Sequence, residues 1–320
     1  MPLVLSVPSA TGLLTVTAAD FAAALGVEGS GLPTSALSCL TAADFGYTPL
    51  LGAEREACIL TVLEALETEG LPVSGPGSVA RWERGWRENL ERYLQGGHSV
   101  EALVPKYFKH MALRYRGVYI RPNSVRFEQD FYTVARHVLF QRYLTDAPAV
   151  VEFGCGTGTS LLILSELFPG RPLIGCDWAR SSQELLAAIA GRTGKDIRGA
   201  HCDMFEPPAG LPFPERAAVI TMAAMEQLGT RFGAFLGYLL AKRPSVCLHL
   251  EPIVELYDPR SLFDHLAIRY HQKRGYLTGF LTALRELEAA GRVRILEVRR
   301  LGFGSFYHEG YSVVAWRVCD

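Results

Sequence analysis

The chain has 320 residues, 49% hydrophobic and 20% charged, with a formal net charge of −1. That length supports a substantial core and allows two domains. The near-zero charge offers no pull toward nucleic acid or an anionic membrane, and no apolar run reaches the roughly 20 residues of a membrane span.

The N-terminal Met1-Pro-Leu-Val-Leu lacks the positive region of a signal peptide. Seven cysteines (39, 58, 155, 176, 202, 247 and 319) are scattered without a Cys-x-x-Cys pair. An odd, unspaced set fits a reducing cytoplasm and small core thiols, not a disulfide frame. No His/Cys group has zinc spacing, so no metal is expected.

Residues 1–123 read as a mainly helical region, with helices expected at Ala18–Leu25, Glu54–Glu69 and Val79–Gln95. The pentapeptide Thr-Ala-Ala-Asp-Phe occurs at 17–21 and again at 41–45. Each copy reads as a helix start, with a threonine cap and an acid in the first turn. Gly70–Gly77, rich in Gly and Pro, reads as a loop. Tyr107, Tyr119 and Arg121 are candidate ligand contacts, with surface residues of a helical cap as the competing reading.

A helix at Phe127–Tyr143 leads into Val-Val-Glu-Phe-Gly-Cys-Gly-Thr-Gly-Thr at 150–159. Here a short strand breaks into alternate glycines, Gly154, Gly156 and Gly158, and a helix follows at once over Ser160–Phe168. Strand, bare turn and helix N-terminus let a ligand lie against the main chain. A dinucleotide fingerprint would need glycine at 159, which is Thr159. A phosphate-cradling P-loop would need a nearby lysine, and none is present.

Further strands are expected at 172–177, ending in Asp177, at Ile197–Ala200, at Ala217–Thr221 and at Ser245–Leu250. A helical insert, about Leu256 to Ala290, precedes two last strands at Arg294–Arg300 and Ser312–Val318. Asp177 lies about 20 residues beyond the glycine loop, where an acid at a strand tip can accept two ribose hydroxyls. Trp178 offers an aromatic face to an adenine ring. The alternative for Asp177 is a cap on the helix Ser181–Ala190.

Glu152 with Gly154-x-Gly156-x-Gly158, then Asp177, Asp203-Met204 and Met225-Glu226-Gln227 in order, resemble the motifs of the class I S-adenosylmethionine-dependent methyltransferases. The resemblance covers about residues 124–320 and implies a Rossmann-like, seven-stranded, mostly parallel α/β sheet with a terminal antiparallel hairpin. Residues 1–123 would form an N-terminal helical cap that closes over the cofactor and shapes the acceptor pocket. It also implies S-adenosylmethionine as methyl donor, leaving S-adenosylhomocysteine. Glu152, Gly154, Cys155, Gly156, Gly158, Asp177, Trp178, Asp203, Met204 and Tyr107 would hold it. Many small-molecule members carry Glu-His where this chain has Glu226-Gln227, so a histidine base would have to come from elsewhere.

On the acceptor side the catalytic candidates are Glu226, Glu251, His271 and His308, with histidine suited to proton transfer near neutral pH. His249 shares a strand face with Glu251 by spacing. Tyr119, Arg121, Gln227, Glu309 and Tyr311 are the candidate substrate contacts. Convergence of Glu226, Glu251, Glu255, Asp258 and Glu309 at the sheet's carboxyl edge would favour an amino- or guanidino-bearing acceptor. Arg292, Arg294, Arg299 and Arg300 read as the solvated face of a terminal strand. The expectation is a cytoplasmic enzyme methylating a small metabolite, a natural-product intermediate, at N, O or C. No nucleic-acid or membrane partner is expected, and a homodimer is left open. Two rivals stand beside it: a non-catalytic S-adenosylmethionine-binding subunit or sensor, and a nicotinamide oxidoreductase that Thr159 weakens.

Overall fold

The structure, a computed structural model, describes residues 12–28, 31–108 and 111–319. The N-terminal segment used for the signal-peptide reading lies outside the described residues. The first half comprises β1 (Leu14–Thr15), α1 (Ala18–Leu25), α2 (Thr34–Ala42), β2 (Gly46–Leu50), α3 (Gly52–Glu67), α4 (Val79–Gln95), β3 (Leu113–Tyr115) and β4 (Val118–Pro122). α1 begins with a capping box: Asp20 N–H donates to Thr17 Oγ1 at 3.3 Å, and Thr17 N–H to Asp20 Oδ2 at 2.8 Å. It ends at Gly26, whose φ of +60° suits a left-handed cap.

The second copy of the pentapeptide does not start a helix. Thr41 and Ala42 close α2, and Phe45 leads into β2. Its threonine donates back to Leu37 C=O at 2.9 Å, while Asp44 Oδ1 accepts from Gly46 N–H at 2.8 Å. A capping box needs free amides at a helix beginning, and at Thr41 the helix is already under way.

The strands before residue 124 were not foreseen. β1, β2, β4 and β3 form an antiparallel sheet of two- to five-residue strands, too short for a period-2 pattern and interrupted by Gly46 and Pro49.

The second half continues with α5 (Phe127–Leu144), β5 (Val150–Phe153), α6 (Thr159–Leu167), β6 (Leu173–Asp177), α7 (Arg180–Thr193), β7 (Ile197–His201), β8 (Ala218–Met222) and α8 (Gly233–Lys242). It ends with β9 (Cys247–Glu251), α9 (Leu262–Arg274), α10 (Phe280–Ala289), β10 (Val293–Arg300), β11 (Phe303–Gly304) and β12 (Ser312–Val318). Seven of these strands form one mixed sheet in the order β10-β12-β9-β8-β5-β6-β7. β5 to β9 pair in parallel and β12 runs antiparallel to both of its neighbours.

The inner strands β5, β6, β8 and β9 are buried along their whole length because helices cover both faces. Alternate residues feed two cores. Val150, Leu173, Ile220 and Leu248 pack on the side of α5, α6 and α7, while Val151, Ile174, Val219 and Cys247 pack on the side of α8 and α10.

The segment between β10 and β12, expected to be a simple hairpin turn, carries β11, which joins the small sheet beside β3. Phe303 of β11 stacks on Phe131 of α5 at 3.9 Å between centroids, and Tyr115 of β3 meets it edge-on at 6.3 Å. Described residues before 124 and the large sheet therefore share one hydrophobic core. All seven cysteines are free, and among the described residues no helix is long and apolar enough to cross a membrane.

Candidate active site

The chain runs β5, β6, β7 to one side and then returns to place β8 against the other side of β5. Such a reversal leaves a crevice at the carboxyl ends of the strands. There the structure has a cavity of about 540 Å³, within the size range of small-molecule sites. α4 roofs it, while α9 and residues 305–311 form a side wall.

The glycine loop is its floor. Gly154, Gly156 and Gly158 have φ of +71°, +51° and +76°, a region that side-chain-bearing residues avoid. A Cβ on Gly154 would lie 2.3 Å from Ala224 Cβ, and one on Gly158 2.4 Å from Leu186 Cδ2. A Cβ on Gly156 would lie 2.9 Å from the indole of Trp86, a roof residue of α4.

Asp177 braces both the turn into α7 and the glycine loop. Its Oδ1 accepts from Ala179 N–H at 2.8 Å, at the start of α7, and its Oδ2 from Gly156 N–H at 2.9 Å. Burial pushes its carboxyl up to about 6 against the pull of those amides. A carboxylate has about four acceptor positions, so the lone pairs left over suit ribose hydroxyls. Glu152 is 2% exposed, its Oε2 has no hydrogen-bond partner, and burial pushes its carboxyl up to about 8.

Cys155, Trp178, Asp203, Met204 and Tyr107 also line the cavity. Trp178 stacks with Phe205 at 6.2 Å, and Asp203 Oδ1 accepts from Phe205 N–H at 2.9 Å. Tyr107 meets Trp82 edge-on at 6.4 Å.

Sequence reasoning missed several lining residues because no motif spacing ties them to the glycine loop. Arg136 on α5 donates to Thr159 Oγ1 and Ser160 Oγ at 3.1 and 3.2 Å, and its guanidinium lies 4.2 Å over Tyr132. Trp82 and Trp86 on α4 stack at 5.2 Å. The roof is fastened to α7: Ser181 N–H donates to Glu83 Oε2 at 3.1 Å and Ser181 Oγ to Glu83 C=O at 3.0 Å. The apolar period of Val79–Gln95 showed a helix but gave no sign of what it covers.

Glu226 and Gln227 follow β8 in a short 3-10 turn, Met225–Leu228, and both line the cavity. Burial pushes the Glu226 carboxyl up to about 7, opposed by Arg274 and Arg81. Gln227 Nε2 donates to Glu226 Oε1 at 3.1 Å. Tyr311 lines the cavity too, and its hydroxyl donates to Glu128 Oε1 at 3.1 Å. Burial pushes Glu128, another carboxylate missed in the sequence, up to about 7.

His308 lines the cavity and His271 stands behind it, with His308 Nδ1 and His271 Nε2 3.0 Å apart. Burial pushes His271 down to about 3, helped by Arg114 and Arg274, so it is neutral at physiological pH.

The remaining acceptor-side candidates lie elsewhere. Glu251 does not line the cavity: its Oε1 accepts from Ala224 N–H at 2.9 Å and braces the loop after β8 from beneath. His249 is a core residue held between Thr221 Oγ1 at 2.8 Å and Trp316 Nε1 at 2.9 Å. Tyr119 is buried against Phe263 at 5.1 Å, and Arg121 is exposed and paired with Glu54 at 2.6 Å.

The five acids do not converge. Glu309 is held by Arg300 Nε and Nη2 at 2.6 and 2.9 Å. Glu255 accepts from Leu281 N–H at 3.1 Å, and Asp258 pairs with Arg260 at 3.0 Å. Only Glu226 of the five faces the cavity. Arg300 is likewise no solvated edge residue, since it also grips Asp264 at 2.6 and 2.7 Å. Spacing along a strand predicts which residues share a face, but not which of them a helix of the insert then covers.

The fold has counterparts among solved structures. The chain is similar to S-adenosylmethionine-dependent methyltransferases. One, from Aquifex aeolicus, is 15% identical over 57% of this chain and 89% of its own, with a TM-score of 0.42. Geranyl diphosphate C-methyltransferase from Streptomyces coelicolor A3(2) is 14% identical over 62% of this chain and 87% of its own, at 0.39. The cyclase SpnF is 14% identical over 78% and 98%, at 0.48. No family model matches the sequence, and no curated protein matches it. At such identities and scores, the geometry of the site has to carry the functional reading.

Proposed function

We propose that the chain is an S-adenosylmethionine-dependent methyltransferase acting on a small molecule. The observation that carries this reading is the left-handed glycine loop clasped by Asp177 at the reversal of strand order. Its residues fit the cofactor. The spare acceptor capacity of Asp177 suits the ribose, Met204 and Trp178 supply apolar and aromatic surface for the adenine, and Asp203 stands beside them. The unpartnered Oε2 of Glu152 suits an ammonium, and Arg136 at the head of α6 suits a carboxylate.

The cofactor supplies an electrophilic methyl group on sulfur, and the acceptor must reach it in line as a free nucleophile. Glu226, with its carboxyl near neutrality, is the group that accepts the acceptor's proton. Gln227 fixes its orientation and Glu251 holds the loop that presents it. His308, backed by His271, forms part of the acceptor wall.

Calorimetry with S-adenosylhomocysteine and with NAD tests the cofactor. Binding of the first and not the second is expected, and tight binding of NAD alone would overturn the reading. Incubation with methyl-labelled cofactor and a metabolite extract then tests transfer, since a sensor would bind the cofactor without moving label.

A further inference from the structure

Two guanidinium groups face the acceptor end of the cavity. Arg274, at the last turn of α9, donates from Nη1 to Tyr270 Oη at 2.7 Å, while its Nε is buried with no hydrogen-bond partner. Arg81, near the start of α4, donates to Ser78 Oγ at 3.3 Å and lies 5.4 Å over Trp82. Among the described residues neither has a carboxylate within 4.0 Å. Cavity-facing arginines are usually paired, because a desolvated cation without an anion is costly. Here two of them act on a single carboxylate, Glu226, which leaves this end of the cavity with excess positive charge.

The surrounding surface is aromatic. Tyr270 and Tyr307 stack at 4.7 Å with planes 8° apart, and Arg274 lies 4.8 Å over Tyr276. All three tyrosines line the cavity beside Trp82. Flat rings select a flat partner, and a guanidinium fork matches a carboxylate in shape as well as charge.

We infer that the methyl acceptor is an aromatic carboxylic acid, its ring against Tyr270, Tyr276 and Tyr307 and its carboxylate on Arg274 and Arg81. The inference rests on the methyltransferase reading for the role of the cavity, and it reverses the preference for an amine that five converging acids would have created.

The test is calorimetry on the full chain saturated with S-adenosylhomocysteine, titrated with hydroxybenzoate and hydroxynaphthoate, their neutral amides, and tyramine. The acids should bind at least about tenfold more tightly than their amides, and tyramine more weakly than either. Arg274→Gln and, independently, Arg81→Gln should each erase most of that preference, while Arg274→Lys keeps part of it. Two variants on different helices guard against loss through misfolding, and retained S-adenosylhomocysteine affinity certifies each as folded. Equal binding of acid and amide, tighter binding of tyramine, no binding by any acid, or an unchanged preference in both variants overturns the inference. Failure of S-adenosylhomocysteine itself to bind the unaltered chain overturns the methyltransferase reading instead.

Discussion

The two ends of the cavity are built from different material. The end proposed for the cofactor is mostly main chain: three left-handed glycines, the amides of Gly156 and Ala179, and carboxylates rooted at strand tips within about 55 residues of sequence. The acceptor end is all side chain, drawn from α4, the turn after β8, α9 and the segment around β11. Backbone at a strand tip is held by the whole sheet, so it can be rigid and sparing in residue types. A wall of side chains from four separate elements keeps its shape only while those elements stay docked.

The largest effect should separate Glu226 from Glu251, two acids that sequence alone treats alike. Glu226→Gln should lower the methyl-transfer rate by about 10²–10⁴-fold, measured with labelled cofactor, and leave S-adenosylhomocysteine affinity intact. On the proposed function, the unaltered chain should gain rate as pH rises through about 7, where the Glu226 carboxyl loses its proton and can accept another, and the variant should not. A variant that keeps both rate and pH profile would remove Glu226 from the chemistry.

At the cofactor end, Gly154→Val combines left-handed backbone strain with a clash against Ala224, together roughly 3 kcal/mol or about a hundredfold in S-adenosylhomocysteine affinity. Asp177→Asn should cost about tenfold, by replacing an acceptor of two amides with a side chain that can satisfy only one. Calorimetry reads both, and unchanged affinity in either would break the contrast between a backbone-built and a side-chain-built end.

Stability should report the buried acids. Burial holds Glu128, Glu152 and Glu251 at about 7, 8 and 7, above the ordinary carboxylate value, so their protonated forms are favoured by folding. That contribution is complete below the ordinary value of about 4.5 and is lost as pH rises through 7 to 8. The ligand-free chain should therefore melt a few degrees lower at about pH 8.5 than at about pH 6, and Glu128→Gln with Glu152→Gln should reduce the difference. A melting point independent of pH would mean that these acids are already ionised. The smallest effect belongs to Arg121→Ala. Its exposed pair with Glu54 predicts a change within about 0.5 kcal/mol and no change in ligand affinity.

How much was legible follows the same division. The inner strands of the large sheet were readable because each is a short apolar run bounded by turns, and the cavity-lining Glu152, Gly154, Gly156 and Asp177 because they sit at or just past the ends of those runs. The small sheet was not, since its strands are very short and exist only through pairing, Leu14–Thr15 with β2 and β3 with the remote β11. The duplicated pentapeptide shows the limit most plainly: the same five residues cap α1 and end α2, because what precedes them differs.

By itself the sequence determined the glycine turn, the acid at the next strand tip and the order of strand and helix in the large sheet, because these are local patterns of backbone geometry and hydrophobic period. Tertiary structure alone decided which acids and histidines face the cavity. It placed Arg136, Arg274 and the tryptophans of α4 around it, and it sent Glu309 to Arg300 and His249 into the core. The reason is physical: a side chain's neighbours are set by how helices and strands pack across long stretches of chain, and no spacing along the chain records that packing.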